Sequence, residues 1–330
     1  MITSRFTAIV LAALMVLALA ACGSDEPTEP TATPYSGPAP DLKLASITAK
    51  GYSNPDRLVT PEWIVSRSLD IQHGRVVLLD IRKEEDYNLG HIPGAIYFNT
   101  KGIFQDEVAG VPGMLPGPSI IEEALGSLGI TGRDTVIFYD SNTNLSASRA
   151  LWALDVYGHG DTRLIDGSWK AWAATGGAMT TEIPSVTATT YAFTTAPNGA
   201  IIANWEEVLA SVDDPSTIVC DTRSTGEYTG QTVRNGVEHG GHIPASLHVE
   251  WNKAIDPDSG AFLPAAELAT LYADSGIQGT STVITLCQTA VRATHSWFVL
   301  QDLLGYPSVQ VYDGSWVEWG NSDLPITIKG

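Results

Sequence analysis

Residues 283–305, VITLCQTAVRATHSWFVLQDLLG, join a short apolar run to a longer stretch with apolar residues at three- and four-residue spacing. The first pattern predicts a buried strand and the second a helix. Strands are predicted in this way at 76–80, 135–139, 163–165, 217–221, 282–286 and 309–312, and helices at 119–129, 145–158, 265–275 and 292–304. This alternation predicts an α/β fold with a mostly parallel central sheet flanked by helices. Because ligands of such sheets bind beyond the carboxyl ends of the strands, the segments after residues 139 and 286 are the candidate sites.

Cys287 begins the second of these segments, and Arg292 follows it at the predicted start of a helix. The positive end of a helix dipole and a nearby arginine both stabilise a thiolate, which is the nucleophilic form of cysteine. Loop amides at a helix start can also hold an anion. This pattern favours attack by sulfur on an anionic substrate, although a buried structural cysteine is the alternative.

The sequence contains two copies of one unit. The matching stretches are VVLLDIR (76–82) and TIVCDTR (217–223), GHIPGA (90–95) and GHIPAS (241–246), TVIFYD (135–140) and TVITLC (282–287), and DGSW (166–169) and DGSW (313–316). The last two pairs share the same offset of 147 residues. A constant offset predicts that no insertion separates the copies between these pairs.

The N-terminus has the pattern of an export signal. An apolar run over residues 6–21 follows Arg5 and is shorter than a bilayer span, which suits a signal peptide; a short retained membrane anchor is the alternative. Its ending, Leu19-Ala20-Ala21-Cys22-Gly23, resembles the bacterial lipoprotein signal, in which the cysteine carries the lipid after cleavage. This resemblance implies an extracytoplasmic, membrane-anchored lipoprotein at the cell surface or on the periplasmic side.

Five segments follow from these patterns. They are a signal peptide at 1–21, a proline-rich tether at 22–44, an N-terminal domain at 45–177, a linker at 178–198 and a C-terminal domain at 199–330. The length of 330 residues agrees with about two globular domains. The tether is too polar to bury a core and is expected to be extended.

Composition excludes several classes of protein. Hydrophobic residues make up 44% and charged residues 17%, so the chain as a whole is not disordered. Asp and Glu number 37 against 18 Lys and Arg, a formal net charge of −19, which excludes nucleic acid as a partner. Three cysteines are too few for a dense disulfide framework.

Together, the repeated motifs resemble those of tandem-domain rhodaneses, the thiosulfate or 3-mercaptopyruvate sulfurtransferases, over about residues 45–328. The resemblance implies two rhodanese-like domains and a persulfide on Cys287, with no metal or organic cofactor. The substrate-binding residues that it implies are Gln288, Thr289, Ala290, Val291, Arg292 and Ala293 through the loop amides, and Arg223 through its side chain. Asp140 occupies the cysteine's position in the first copy, so the N-terminal domain is expected to be inactive and to cover the catalytic one.

The expected substrates are a small anionic sulfur donor and a cyanide or thiol acceptor. Mercaptopyruvate enzymes typically carry an arginine where this chain has Glu227, whose charge would repel a keto-acid carboxylate. The active loop also departs from the pattern common in those enzymes, so thiosulfate is favoured and mercaptopyruvate is the alternative, with Arg234 as a possible binding residue. For Arg223, a structural ion pair with Asp221 is the alternative to contact with the donor.

Two further functions stay open at this point. One is a dual-specificity-type phosphatase, whose loop sets the cysteine and arginine one residue further apart than Cys287 and Arg292. The other is a non-catalytic sulfur-binding lipoprotein. In every case, the membrane is expected to be contacted only through the N-terminal lipid.

Overall fold

The computed structural model of the protein describes residues 45–328. The predicted signal peptide at 1–21, Cys22 and the whole of the predicted tether at 22–44 lie outside the described residues. Within 45–328, no helix has both the length and the apolar character needed to cross a membrane.

The N-terminal repeat is built on a five-stranded parallel sheet. Its strands are β1 Leu58–Val59, β2 Val76–Asp80, β3 Ile96–Tyr97, β6 Thr135–Tyr139 and β7 Thr162–Ile165, in the order β1-β7-β6-β2-β3, and β4 Asp106–Val108 and β5 Val111–Met114 form a separate antiparallel hairpin. The helices are α1 Ala45–Ala49, α2 Pro61–Ser66, α3 Ser68–Gln72, α4 Glu84–Leu89, α5 Pro118–Ser127, α6 Leu145–Tyr157 and α7 Ser168–Ala174. The central strands β2 and β6 are buried almost throughout, as expected of β-branched and aromatic runs covered on both faces.

The C-terminal repeat has the same plan. Its strands are β8 Ile202–Ala203, β9 Thr217–Asp221, β10 Leu247–His248, β11 Thr282–Leu286 and β12 Val309–Tyr312, all parallel in the order β10-β9-β11-β12-β8. The helices are α8 Trp205–Ser211, α9 Thr225–Thr229, α10 Ala265–Asp274, α11 Val291–Phe298 and α12 Ser315–Trp319. Short 3₁₀ turns lie at Pro55–Arg57, Gly199–Ile201 and Trp251–Ala254. The predicted α/β class with two parallel sheets is confirmed.

Helices α6 and α11 pack against each other, and one hydrophobic core runs through both repeats around them. The outer face of each sheet has a smaller core of its own. Because both helices start directly after central strands, their packing places the two loops that follow residues 139 and 286 within the region between the repeats.

The prediction that no insertion separates the copies after residue 135 is wrong. Asn144 and Ala290 both adopt the left-handed backbone conformation just before their helices. Ala290 is one residue closer to Cys287 than Asn144 is to Asp140, so the C-terminal loop is shorter by one residue. The register is restored by a π-helical turn at Val299–Leu303, which continues α11 and adds one residue. Two opposite changes in length thus cancel, which a constant offset cannot reveal.

His295 of α11 is fully buried between the rings of Trp251 and Phe262. Among the described residues, neither ring nitrogen has a hydrogen-bond partner of good geometry. Burial lowers the pKa of His295 from 6.5 to about 3, and the nearby backbone of Thr143 acts in the opposite direction. The folded protein therefore holds this imidazole in its neutral form.

We expect His295 to make the fold acid-sensitive. His295 binds a proton near pH 6.5 in the unfolded chain but only near pH 3 in the folded protein. As the pH is lowered from 6.5 to 3, the free energy of unfolding should therefore fall by about 1.4 kcal/mol per pH unit. Urea unfolding at several pH values should show a shallower fall in His295→Phe. The exposed His239 provides the control His239→Gln, and an equal slope in parent and His295→Phe would contradict the expectation.

Candidate active site

Cys287 lies directly after β11, at the carboxyl end of the C-terminal sheet. Its side chain is almost completely buried, and a short loop joins it to α11. Ala290 has φ 60°, which turns the chain from strand to helix within that loop. The structure thus places the predicted nucleophile where ligands bind in parallel sheets.

The carbonyl groups of the loop are held by the first turn of α12. The backbone N–H of Trp316 donates to the Cys287 carbonyl at 2.9 Å, and that of Val317 donates to the Gln288 carbonyl at 3.0 Å. In a planar trans peptide the N–H points opposite to the C=O. The N–H groups of Gln288 and Thr289 therefore point away from α12.

Ser315, which precedes Trp316, secures the loop at two more points. Its Oγ accepts hydrogen bonds from the N–H groups of Cys287 at 3.2 Å and Ala290 at 3.1 Å, and it donates to the Tyr312 carbonyl at 2.9 Å. The expectation that the Ala290 amide binds substrate is therefore wrong, because Ser315 occupies it. Within residues 45–328, the amides of Gln288, Thr289, Val291, Arg292 and Ala293 have no acceptor.

In the loop of the N-terminal repeat, the Asp140 carboxylate occupies the position that corresponds to Cys287. Oδ1 of Asp140 accepts hydrogen bonds from the amides of Asn142 at 3.1 Å, Thr143 at 3.2 Å and Asn144 at 3.0 Å, and Oδ2 accepts from Ser146 at 3.1 Å. The amides of this loop thus converge on the side chain at the end of the strand. A loop of the same type around Cys287 can stabilise a negatively charged sulfur in the same way.

Arg292 forms a two-pronged ion pair with Glu227, at 2.7 and 2.9 Å, and interacts electrostatically with Cys287. Arg234 also contacts Glu227, at 2.9 Å. Burial raises the pKa of the Glu227 carboxyl, but hydrogen bonds from Arg292 and Ser224 outweigh this effect and lower the pKa to about 2. The expected repulsion between Glu227 and a donor carboxylate is weakened, because two arginines offset the charge of this side chain.

The charge of Arg223 is engaged by Asp221. Its guanidinium is buried, donates to Asp221 at 3.0 and 3.1 Å and to the Gly241 carbonyl at 2.7 Å, and lies 4.1 Å from the centre of the Trp316 ring. In the first copy, Arg82 pairs with Asp80 in the same manner. The structure therefore places Arg223 in the structural ion pair, contrary to the expected contact with the donor.

Sequence reasoning gave Ser315 no role. The signal was present in the repeated DGSW motif, because Ser168 occupies the same position and also accepts from the backbone of its loop, at Asp140. Both serines have a positive φ, 56° at Ser168 and 52° at Ser315, which is rare outside glycine. A strained residue repeated in both copies indicates a required turn.

Comparison with known proteins identifies the family. The profile described as a rhodanese-like domain matches residues 67–175 and again 204–322. SseA of Mycobacterium bovis, provisionally named a thiosulfate sulfurtransferase, is 35% identical over 286 residues, which cover 84% of this chain and 92% of SseA. TtuD of Thermus thermophilus, named a sulfur carrier protein, is 35% identical over 287 residues, which cover 82% of this chain and 96% of TtuD.

Solved structures share the fold. An anaerobic ergothioneine biosynthesis enzyme from Chlorobium limicola, in complex with trimethyl histidine, aligns with a TM-score of 0.73 at 24% identity over 84% of this chain and 72% of its own. At this identity the likeness concerns the fold alone. The family match and the relatives at 35% identity show that the chain belongs to the rhodanese-like family of sulfurtransferases, with two tandem domains.

The two serines offer a matched pair of substitutions. Ser315→Ala leaves two backbone N–H groups unpaired and Ser168→Ala leaves one, so each should lower the free energy of unfolding by about 1–3 kcal/mol. Only Ser315→Ala should also slow sulfur transfer, because only Ser315 fixes the loop of Cys287. Chemical denaturation and turnover with thiosulfate measure the two effects. Equal loss of activity in both variants would show that the effect is one of stability alone.

Proposed function

We propose that the protein moves sulfane sulfur from thiosulfate to a nucleophilic acceptor, cyanide or a thiol, through a persulfide on Cys287. The observation that carries this proposal is the position of Cys287 at a strand end, inside a loop whose carbonyls are bound elsewhere. The amides of Gln288, Thr289 and the first turn of α11 have no acceptor among residues 45–328. These amides, the start of α11 and Arg292 favour negative charge on sulfur.

The reaction then has two steps. The Cys287 thiolate attacks the outer sulfur of thiosulfate, a sulfur–sulfur bond forms, and sulfite leaves with the electron pair of the broken bond. The acceptor next attacks the terminal sulfur of the persulfide, and the Cys287 thiolate is regenerated as the leaving group. The loop amides stabilise the negative charge in both states, which is the role of an oxyanion hole.

Thiosulfate remains the favoured donor, although the charge argument from Glu227 is weaker than the sequence implies. A second candidate is transfer from the persulfide to another protein, since the Thermus relative is named a sulfur carrier protein. Parallel turnover with thiosulfate, 3-mercaptopyruvate and a protein thiol separates these possibilities.

We expect Cys287→Ser to abolish sulfur transfer, because a hydroxyl cannot hold sulfane sulfur. In the parent, mass spectrometry after treatment with thiosulfate should find one added sulfur atom on the peptide that contains Cys287. Cys220→Ser is the control: Cys220 is completely buried in β9, where burial and the nearby Asp221 carboxylate raise the pKa of its thiol, so this variant should keep full activity. Transfer that persists in Cys287→Ser would refute the proposal.

We also propose that Cys22 is lipidated and that the protein is an extracytoplasmic, membrane-anchored lipoprotein. The apolar run before Leu19-Ala20-Ala21-Cys22 supports this proposal. Each buried methylene of an acyl chain adds about 0.8 kcal/mol, so several chains on one cysteine hold a protein at a membrane stably.

Cell fractionation with metabolic acyl labelling tests the location. The parent should carry label and sediment with membranes, and Cys22→Ala should lose the label because it has no acceptor thiol at this position. An unlabelled, soluble parent would rule out the anchor and leave the proposed chemistry at Cys287 unaffected.

A further inference from the structure

The β4–β5 hairpin of the N-terminal repeat lies against the loop that carries Cys287. Gly113 of β5 has φ 85°, and a Cβ at this position would lie 2.8 Å from the Cβ of Thr289, so the close approach requires glycine. Gln105, which immediately precedes β4, donates from Nε2 to the Thr289 carbonyl at 3.0 Å. The inactive repeat therefore contacts the backbone of the active loop directly.

Gln105 and Ser315 together hold the peptide group between Thr289 and Ala290. The carbonyl of the peptide between Thr289 and Ala290 accepts from Gln105, and its N–H donates to Ser315. One planar peptide is thus held at both ends, from a different repeat at each end. Its orientation sets the point at which the loop turns into α11.

Arg149 of α6 makes the second cross-repeat contact. Its guanidinium is buried and donates to Oδ1 of Asp313 at 2.6 Å, to the Phe104 carbonyl at 3.0 Å and to the Gly113 carbonyl at 3.3 Å. Asp313 begins the DGSW motif whose serine and tryptophan bind the active loop. Arg149 thereby joins the hairpin to the turn that holds the carbonyls of the loop.

We propose that Gln105 and Arg149 are positioning residues for the reaction at Cys287. The N-terminal repeat has no nucleophile at Asp140, yet Gln105 fixes the Thr289–Ala290 peptide and Arg149 fixes the turn that binds the loop carbonyls. Both side chains thereby set the orientation of the loop that carries Cys287 in the other repeat. The proposal rests on the proposed function for its turnover measurement only, because the orientation of the amides can also be measured on the unmodified thiol.

A related contact between the repeats supplies the control. Lys50 donates to Asp166 at 2.6 Å and to the Phe262 carbonyl at 2.8 Å, and the Phe262 N–H donates to Asp166 at 2.9 Å. Asp166 begins the DGSW motif of the N-terminal repeat. Loss of Lys50 therefore weakens an interdomain contact of the same kind on the side that carries no cysteine.

The experiment compares Gln105→Leu, Arg149→Met and Lys50→Met in the full chain. The rates at which iodoacetate and iodoacetamide alkylate Cys287 are measured by mass spectrometry, together with kcat and KM for thiosulfate and the melting temperature. A change in access to the thiol alters both alkylation rates equally, whereas misdirected amides slow the anionic reagent more. The ratio of the two rates thus reports the orientation of the loop and not its stability.

We expect the ratio of iodoacetate to iodoacetamide rates to fall several-fold in Gln105→Leu and Arg149→Met. Their kcat should fall by about tenfold to a hundredfold, with a smaller change in KM, because the reacting group is displaced. Lys50→Met should keep both the ratio and kcat despite a lower melting temperature. Gln105 is only partly buried, so Gln105→Leu remains informative if Arg149→Met does not fold.

An unchanged ratio in Gln105→Leu, in a folded protein, would overturn the proposal. A ratio that falls equally in Lys50→Met would also overturn it, since any loosening between the repeats would then suffice. A parent that shows no turnover with thiosulfate but keeps the expected difference in alkylation would refute the proposed function and support the positioning role.

Discussion

The site depends on where the carbonyl groups of one short loop point. The carbonyls of Cys287 and Gln288 are bound by the N–H groups of Trp316 and Val317, and the carbonyl of Thr289 is bound by Gln105 of the other repeat. Since each peptide is planar and trans, the N–H groups of Gln288 and Thr289 point away from α12, whereas the N–H of Ala290 points to Ser315. The parallel sheet places the loop at its carboxyl edge, and the DGSW turn and the hairpin of the other repeat then hold it there.

The two repeats show the same loop with two different negative groups. In the N-terminal copy the loop amides donate to the carboxylate of Asp140, so they are not available to bind a substrate. In the C-terminal copy the shorter loop surrounds Cys287, and Arg292 adds a charge that is shared with Glu227. The loop of the N-terminal repeat is therefore stabilised by its own carboxylate, whereas the loop of the C-terminal repeat is the candidate catalytic site.

Much of the architecture could be predicted from the sequence because it depends on local patterns. The buried strands at 76–80 and 282–286 are read directly from β-branched runs, and the cysteine after residue 286 follows from the rule for parallel sheets. The ion pair of Arg223 with Asp221 was open from the sequence as an alternative, but its bond to the Gly241 carbonyl and the contact of Gln105 with Thr289 could not be predicted, because both partners are backbone groups distant in sequence. The compensating changes in length around α11 escaped for another reason: they cancel in the residue numbering.

The most direct test of this account is a crystal structure of the protein after treatment with thiosulfate. The account predicts an added sulfur on Cys287 that lies within hydrogen-bonding distance of the N–H groups of Gln288, Thr289 and the first turn of α11, with the loop carbonyls still bound to Trp316 and Val317. A persulfide that points away from these amides, or a loop whose carbonyls turn toward the sulfur, would contradict it.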